Sequence, residues 1–494
     1  MNTSDYLNLV DDVIKRGQYK DTWESLCKHP EQKWYKDAKF GIFIHWGIYS
    51  VPAFANEWYS RNMYIKDSPE YEHHLKTYGK HKDFGYKDFI PMFKGENFDA
   101  DEWMDLFKNA GAKYVMPVAE HHDGFQMYSS ELSEWNAGKK GPCRDVLGEL
   151  KQAAGKNDIV LAASSHRIEH NWFFNGGLEY ESDITDPANE GFYGEQLSGQ
   201  GVDDDTRDIY KFPPPVWYCE DWLARCAEIV EKYRPSIVYF DWCIHNAGLR
   251  PYLKKFAAYY YNRADELGFS ASINYKLNAF PPGAAIYDVE RGHLDGIRSR
   301  MWQTCTAAAR NSWGYTESNV YKDPEGLVCD LIDVVSKNGC MLLNIGPRPD
   351  GSITEDDKEI LLSIGKWLKV NGEGIYGTSC WNIFGEGPTN IISGCFTDSA
   401  TLEYTTEDIR FTYNDSILYA FAMNYPKDGK IVIKSLRKNH QLQSLGMNPE
   451  VNGIKLLGFD NPVSFTTNED ALTICVEGNL ETNYPVCFKL TLLD

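Results

Sequence analysis

At 494 residues, with 43% hydrophobic and 24% charged side chains, the chain has an ordinary soluble globular composition. That length allows two or three domains of ~150 residues, or an α/β barrel of ~250 or more with an appendage. Acidic side chains outnumber basic ones 71 to 50, giving a formal charge of −21 with no basic block, which argues against nucleic acid and anionic membrane surfaces as partners.

The first stretch, MNTSDYLNLVDDVIKRGQYK, carries no apolar signal core, and no 18-residue apolar run follows anywhere. The expectation is a cytoplasmic protein without a membrane segment. Short apolar runs then alternate with amphipathic ones. FGIFIHWG (40–47) reads as a strand, DADEWMDLFKNAG as a helix running from an Asp cap toward Gly111, and KYVMPVAE (113–120) as the second strand. DIVLAASS (158–165) is the third. A polar excursion follows, Asn171 to Pro215, acidic at GVDDDTRD and closed by FPPP, which reads equally as a lid or a surface insertion. The helix EDWLARCAEIVEKYRP leads to SIVYFDWC (236–243), and PYLKKFAAYYYNRADELG, ending at Gly268, leads to FSASINYK (269–276). AAIYDVER (284–291), a weaker candidate at RSRMWQTC (298–305) and GCMLLNIG (339–346) bring the strands to eight. Eight near-continuous apolar strands alternating with helices predict an α/β fold, a (β/α)₈ TIM-like barrel over residues 1–372. After TEDDKEILLSIGKWLKVNGEG the helical period gives way to alternating strands such as ILYAFAMNY, KIVIKSL, ALTICVEG and VCFKLTLL. Residues 373–494 are therefore expected to form an antiparallel β-sandwich, whose simplest role is packing against the barrel.

The twelve cysteines are scattered singly with no C-x-x-C pair, a pattern of reduced buried thiols rather than of disulfides or a zinc knot. The 14% aromatic share, with 14 Trp and 31 Tyr, points mildly to carbohydrate contact, although large cores use the same residues.

Catalytic groups in such barrels sit at the carboxyl ends of the strands. There the sequence offers His45, then His121, His122 and Asp123, then His166, Asp241 and Glu290. Each alone has a structural explanation, since a strand-end histidine often caps backbone groups, but together they are aimed at one face. Zinc is a rival reading. It is disfavoured because the first strand has a single His rather than H-x-H, and HRIEH lacks the H-E-x-x-H order, so no metal and no organic cofactor is expected. Two carboxylates without a metal suggest glycoside hydrolysis. Asp241, between Tyr239, Phe240 and Trp242, sits in an aromatic flank that limits solvent without supplying a cation, which makes it the better nucleophile.

The stretches WYKDAKFGIFIHWGIYSVPAFANEWYSRNMY, GAKYVMPVAEHHDGFQMYSS, SIVYFDW, WQTCTAAARNSWGY and GCMLLNIGPRPDGSI closely resemble glycoside hydrolase family 29, the α-L-fucosidases. The resemblance spans roughly residues 20 to 380, and the region after GIYGTSCW is similar to the family's second domain. It implies a retaining exo-α-L-fucosidase acting on fucosylated oligosaccharides or glycoconjugates. Its W-F-D nucleophile motif falls on Asp241, its sugar-binding histidines on His45, His121 and His122, and its E-W pair on Glu57 and Trp58, with Trp242 beside the nucleophile. Asp123 and Gly124 would shape the turn that presents the histidine pair. Many relatives carry their acid in W-E-x-C, where this chain has Gln303. Glu290, in DVERG, resembles the acid of members that share W-Q-T, its alternative being an ion pair with Arg291 or another base. His166 falls where relatives place a further sugar contact, although SSHRIEHNWFF departs from their Tyr-Ser pattern. Two alternatives stand beside this reading: the same fold acting on another glycoside, and a non-catalytic fucose-binding protein, motivated by Gln303. The double-displacement reading requires the carboxyl groups of Asp241 and Glu290 to lie about 5 Å apart.

Overall fold

The computed structural model describes residues 1–197, 213–398, 402–438 and 450–493. All eight expected strands form, and they close on themselves. Phe40–Ile44 pairs in parallel with Tyr114–Glu120 on one side and with Gly339–Ile345 on the other. Between these run Ile237–Phe240, Ser272–Tyr275, Ile286–Glu290 and Trp302–Ala307, each parallel to its neighbours. The third strand comes in two pieces, Val160–Leu161 and Ala163–Ser165, and the second strand shifts register opposite the latter, between Val118 and Glu120. Such a bulge redirects the residues beyond it, here His121 and His122.

Strand alternation sorts the side chains into two layers. Phe43 joins Tyr114, Met116, Tyr239, Cys305 and Leu342 in the barrel's interior, while Ile42 and Ile44 pack into the shell of helices outside. The helices stop and start for readable reasons. Asp99 accepts the amides of Asp101 and Glu102 to open Ala100–Asn109, and Gly268, at φ 70°, ends Arg250–Leu267 in the left-handed conformation that glycine adopts freely. An amino-terminal helix, Thr3–Arg16, lays Tyr6, Val10, Val13 and Ile14 against the helices Val216–Tyr233 and Arg250–Leu267. The first part of the polar excursion is packed rather than loose, with Phe173, Phe174, Phe192 and Tyr193 buried. Its remainder, 198–212, lies outside the described residues.

The barrel's final helix, Glu355–Asn371, is followed from Ser379 by strands, with one short 3-10 turn at Lys434–Leu436 among the described residues. A five-stranded antiparallel sheet and a three-stranded one enclose Phe411, Leu418, Ile431, Leu472, Ile474 and Phe488. This is the expected β-sandwich. Four of its strands, Ser379–Glu386, Ile409–Asn414, Val451–Leu456 and Val463–Thr467, stand beyond the four alternating stretches quoted above. The two parts are joined through buried charge as well as apolar contact. Arg410 Nε donates to Asp333 Oδ1 at 2.7 Å, and Lys337 Nζ donates to the other oxygen at 2.6 Å.

Candidate active site

The carboxyl ends of the first six strands converge on one cavity of about 430 Å³. Its wall contains every site residue expected from the sequence: His45, Glu57, Trp58, His121, His122, His166, Asp241, Trp242 and Glu290. The turn after the second strand is built as expected. Asp123 takes the Phe125 amide on one oxygen and the Tyr86 hydroxyl on the other, and Gly124 has φ 76°, where a Cβ would come 2.5 Å from His170.

Three of the four imidazoles have their proton placed by a neighbour. His45 Nδ1 donates to Asn344 Oδ1 at 2.6 Å, since the Asn344 amide nitrogen is itself committed to the Trp313 carbonyl. His45 Nε2 is thereby left as an acceptor. His122 Nδ1 donates to Glu169 Oε2 at 3.0 Å, which turns Nε2 toward Asp241 Oδ2 at 3.6 Å. His166 Nδ1 donates to the same Asp241 oxygen at 3.0 Å, and its Nε2 accepts from Ser164 Oγ. Both nitrogens of His166 are therefore engaged, and it holds the carboxylate in place. His121 Nδ1 has no partner among the described residues. Glu57 Oε2 accepts from the Trp313 amide at 2.9 Å, and Trp58 packs its ring against His122 and Trp242.

The electrostatics contain one group that the sequence reading overlooked. Lys276, 6% exposed, places Nζ 2.5 Å from Asp241 Oδ1 and 2.6 Å from Glu290 Oε2. The expectation that the flank of Asp241 supplies no cation is therefore wrong: the ammonium comes from the end of the neighbouring fifth strand. Two oxygens that touch one nitrogen can be no farther apart than the sum of those two distances, about 5 Å. Glu290 does form an ion pair, but with Lys276. Arg291 turns away at φ 44° and donates to the carbonyls of Ala309, Arg310 and Ser312.

These contacts drive the two carboxyls apart. Burial alone would raise Asp241, but Lys276 and His166 more than reverse it and hold the group well below the usual carboxylate range. Burial raises Glu290; Lys276 pulls it back, and the charge of Asp241 pushes it up again, leaving it above its ordinary value. Burial also keeps His45 and His121 neutral, with His166 lowered to about 4. His122 goes the other way, because Glu169 and Asp241 overcome its burial. Glu169, fully buried, is itself raised to about 7 by burial, with His122 opposing. The arrangement thus offers one carboxylate kept charged and, close by, one inclined to keep a proton.

Two trios, His45–His121–His166 and His122–His166–Asp241, bring their donor atoms within 4.8 Å of one another, a spacing that would suit a metal ion. Both share His166, whose two nitrogens are spent on Asp241 and Ser164, so neither trio presents three free lone pairs as arranged.

Gln303 does not reach the cavity wall. It lies at the start of the seventh strand, fully buried, donating to Asp288 Oδ1 and accepting from the hydroxyls of Tyr35 and Tyr114. Its amide ties the floor of the barrel together and takes nothing from Glu290.

The family model for Alpha-L-fucosidase matches residues 7–373, and that for the Alpha-L-fucosidase C-terminal domain matches 402–492. The chain belongs to the α-L-fucosidases, glycoside hydrolase family 29. Tissue alpha-L-fucosidase of Rattus norvegicus is 30% identical over 450 residues, 88% of this chain and 86% of its own length. The Alpha-L-fucosidase of Dictyostelium discoideum is 30% identical over 458 residues, 90% of each chain. Among solved structures, the alpha-fucosidase of Thermotoga maritima in complex with fucose superposes with a TM-score of 0.72 at 29% identity, covering 96% of this chain and all of that one. An α-L-fucosidase is a glycoside hydrolase, and this chain is one.

Proposed function

We propose that this α-L-fucosidase removes terminal α-L-fucose from oligosaccharides or glycoconjugates with retention, Asp241 acting as nucleophile and Glu290 as acid and then base. The observation that carries this reading is the single ammonium shared by the two carboxyls, which keeps the two oxygens it touches within about 5 Å of each other, compatible with the ~5–5.5 Å of a double displacement. An inverting pair, at ~6.5–9.5 Å, leaves room for a water between them.

In the first step an Asp241 oxygen bonds to the anomeric carbon as the glycosidic C–O bond breaks, and Glu290 gives its proton to the departing oxygen. In the second step Glu290, now a carboxylate, takes a proton from water. The water oxygen bonds to the anomeric carbon, the ester to Asp241 breaks, and fucose leaves. The depressed Asp241 and raised Glu290 suit those roles before any substrate arrives. Neutral His45 and His121, with Glu57 and Trp58, are the proposed partners of the ring hydroxyls. Imidazoles both donate and accept, and they add no third carboxylate beside the reacting carbon. His166 and His122 hold Asp241, and Trp242 walls its solvent side. The cavity is closed around its histidines and open at one end, which favours a terminal sugar over a mid-chain one.

The test is mass spectrometry after incubation with 2-deoxy-2-fluoro-α-L-fucosyl fluoride. The expected result is a peptide mass shift of one fluorofucosyl group on Asp241. A label elsewhere moves the nucleophile, and turnover with no covalent adduct removes the retaining mechanism.

A further inference from the structure

The cavity is not completed by the barrel alone. The segment 391–398, between the two family-model matches at 7–373 and 402–492, returns to the end of the sixth strand and binds along it. The amide of Gly394 donates to the His293 carbonyl at 2.9 Å, that of Phe396 to the Glu290 carbonyl at 2.8 Å, and that of Asp398 to the Arg291 carbonyl at 3.0 Å. Asp398 is fixed further by Thr306 and Lys322. This docking puts Cys395 and Phe396 in the cavity wall, opposite the protein's buried histidines.

Exposure along the cavity runs in one direction. The four histidines are 2–4% exposed, the side chains of Asp241 and Glu290 10% and 18%, Leu277 42% and Phe396 63%. Two large apolar side chains therefore stand in water at the rim, on the acid's side of the nucleophile. Both are tied to the reacting groups. Leu277 follows Lys276, and Phe396 shares a backbone hydrogen bond with Glu290. Both also hold left-handed backbones, φ 56° for Leu277 and 57° for Phe396. Bulky residues avoid that conformation, and it persists where the surrounding structure enforces it.

We propose that Phe396 and Leu277 form the site for the leaving group, and that its occupant is the sugar next to fucose, resting the apolar face of its ring on Phe396. This deepens the proposed function and rests on it. A proton from Glu290 must be delivered to the oxygen joining the two sugars, so the second sugar lies on the Glu290 side of that oxygen, where the cavity opens onto these two side chains. Sugar C–H faces and aromatic rings desolvate one another, and a half-exposed ring has area to give. The second domain's approach segment thereby gains a part in substrate choice.

The test compares two substrates on wild type, Phe396→Ala and Phe396→Tyr. Methyl α-L-fucoside has no second sugar but needs the same proton from Glu290; the other substrate is the best-cleaved member of a linkage panel of fucosyl disaccharides. Phe396→Ala is expected to lower the ratio of kcat/KM for disaccharide over methyl fucoside by about tenfold, a difference of about 1.4 kcal/mol, and Phe396→Tyr to restore it. A ratio unchanged within about twofold overturns the proposal. So does a parallel loss on both substrates, which would mean that Phe396 only props Glu290. If wild type turns over neither substrate, the fucosidase reading itself falls and takes this site with it, a result distinguishable from the first two.

Discussion

Replacing Lys276 with Met removes the one cation shared by the two carboxyls while keeping a chain of similar reach. A neighbouring opposite charge typically depresses a carboxyl by ~1–3 pKa units, each unit being ~1.4 kcal/mol. The two carboxyls should not respond equally. Asp241 keeps the His166 donor at 3.0 Å and the His122 ring at 3.6 Å, so it rises the less of the two. Glu290 has no second cation among the described residues, because Arg291 turns away, and the unneutralised Asp241 charge beside it adds repulsion. It rises the farther of the two. With Asp241 as the proposed nucleophile the acid limb of kcat/KM reports its becoming charged, and with Glu290 as the proposed acid the alkaline limb reports its losing a proton, so both limbs should move up, the alkaline one farther. The active range shifts and widens even as its height falls. Lys276→Arg, which keeps the charge, should leave both limbs near those of wild type. Measuring kcat/KM for an aryl fucoside across the pH range decides it, with thermal unfolding as a check on folding. Limbs that stay in place in Lys276→Met, or an acid limb that moves down, would refute the electrostatic account of this site.

Glu169→Gln keeps an acceptor for His122 but removes the charge. Because the Glu169 carboxyl is raised to about 7 in the folded protein, the native state holds a proton there that the unfolded chain releases near 4.5. Wild-type stability should therefore decline as pH rises between those values. The raised His122 adds a decline of the same sign above its ordinary value, and melting temperatures of Glu169→Gln should fall less steeply over the same range. A slope identical to wild type would remove Glu169 from the titration. Asp333→Ala leaves Arg410 and Lys337 buried without their carboxylate, and urea unfolding should show a loss of about 3–5 kcal/mol; a loss under about 1 kcal/mol would mean that the joint between barrel and sandwich does not depend on this cluster.

The barrel was legible because its signal is local. Eight runs of apolar residues each had to be a strand, and the side chain at the end of each strand had to face the same mouth. The same rule explains what was overlooked. Lys276 closes the fifth strand as Asp241 closes the fourth, in FSASINYK, so the strand-end criterion reaches it when applied to every strand. Attention to carboxylates and imidazoles passed over an ammonium, and with it the charge that separates their protonation. Gln303 was given weight for the opposite reason. It occupies the position of an acid in many relatives' motifs, yet it is the second residue of its strand, Trp302–Ala307, and the amino-terminal end of a barrel strand cannot reach the mouth. Position along the strand, readable from the run RSRMWQTC once its limits are known, outranks residue type there.

Glu169 and Phe396 belong to a different class. Glu169 lies on a short turn after the third strand, and nothing in HRIEH says whether one of its two histidines, or His122 47 residues earlier, donates to it. Phe396 is separated from Glu290 by more than a hundred residues of chain and reaches it only because the segment 391–398 hydrogen-bonds to backbone carbonyls, which carry no sequence signature. The groups proposed to form and break bonds are thus set by the barrel's own periodicity. The groups that tune their charge, Lys276, His166 and His122, belong to the same barrel, whereas Phe396, the proposed rest for the leaving sugar, is brought in by the segment that leads to the second domain. Exchange of the sandwich and its approach segment between family members should accordingly alter the preference for the second sugar while Asp241 and Glu290 continue the same chemistry, because the ties that hold those two carboxyls, Lys276 and His166, lie wholly within the barrel.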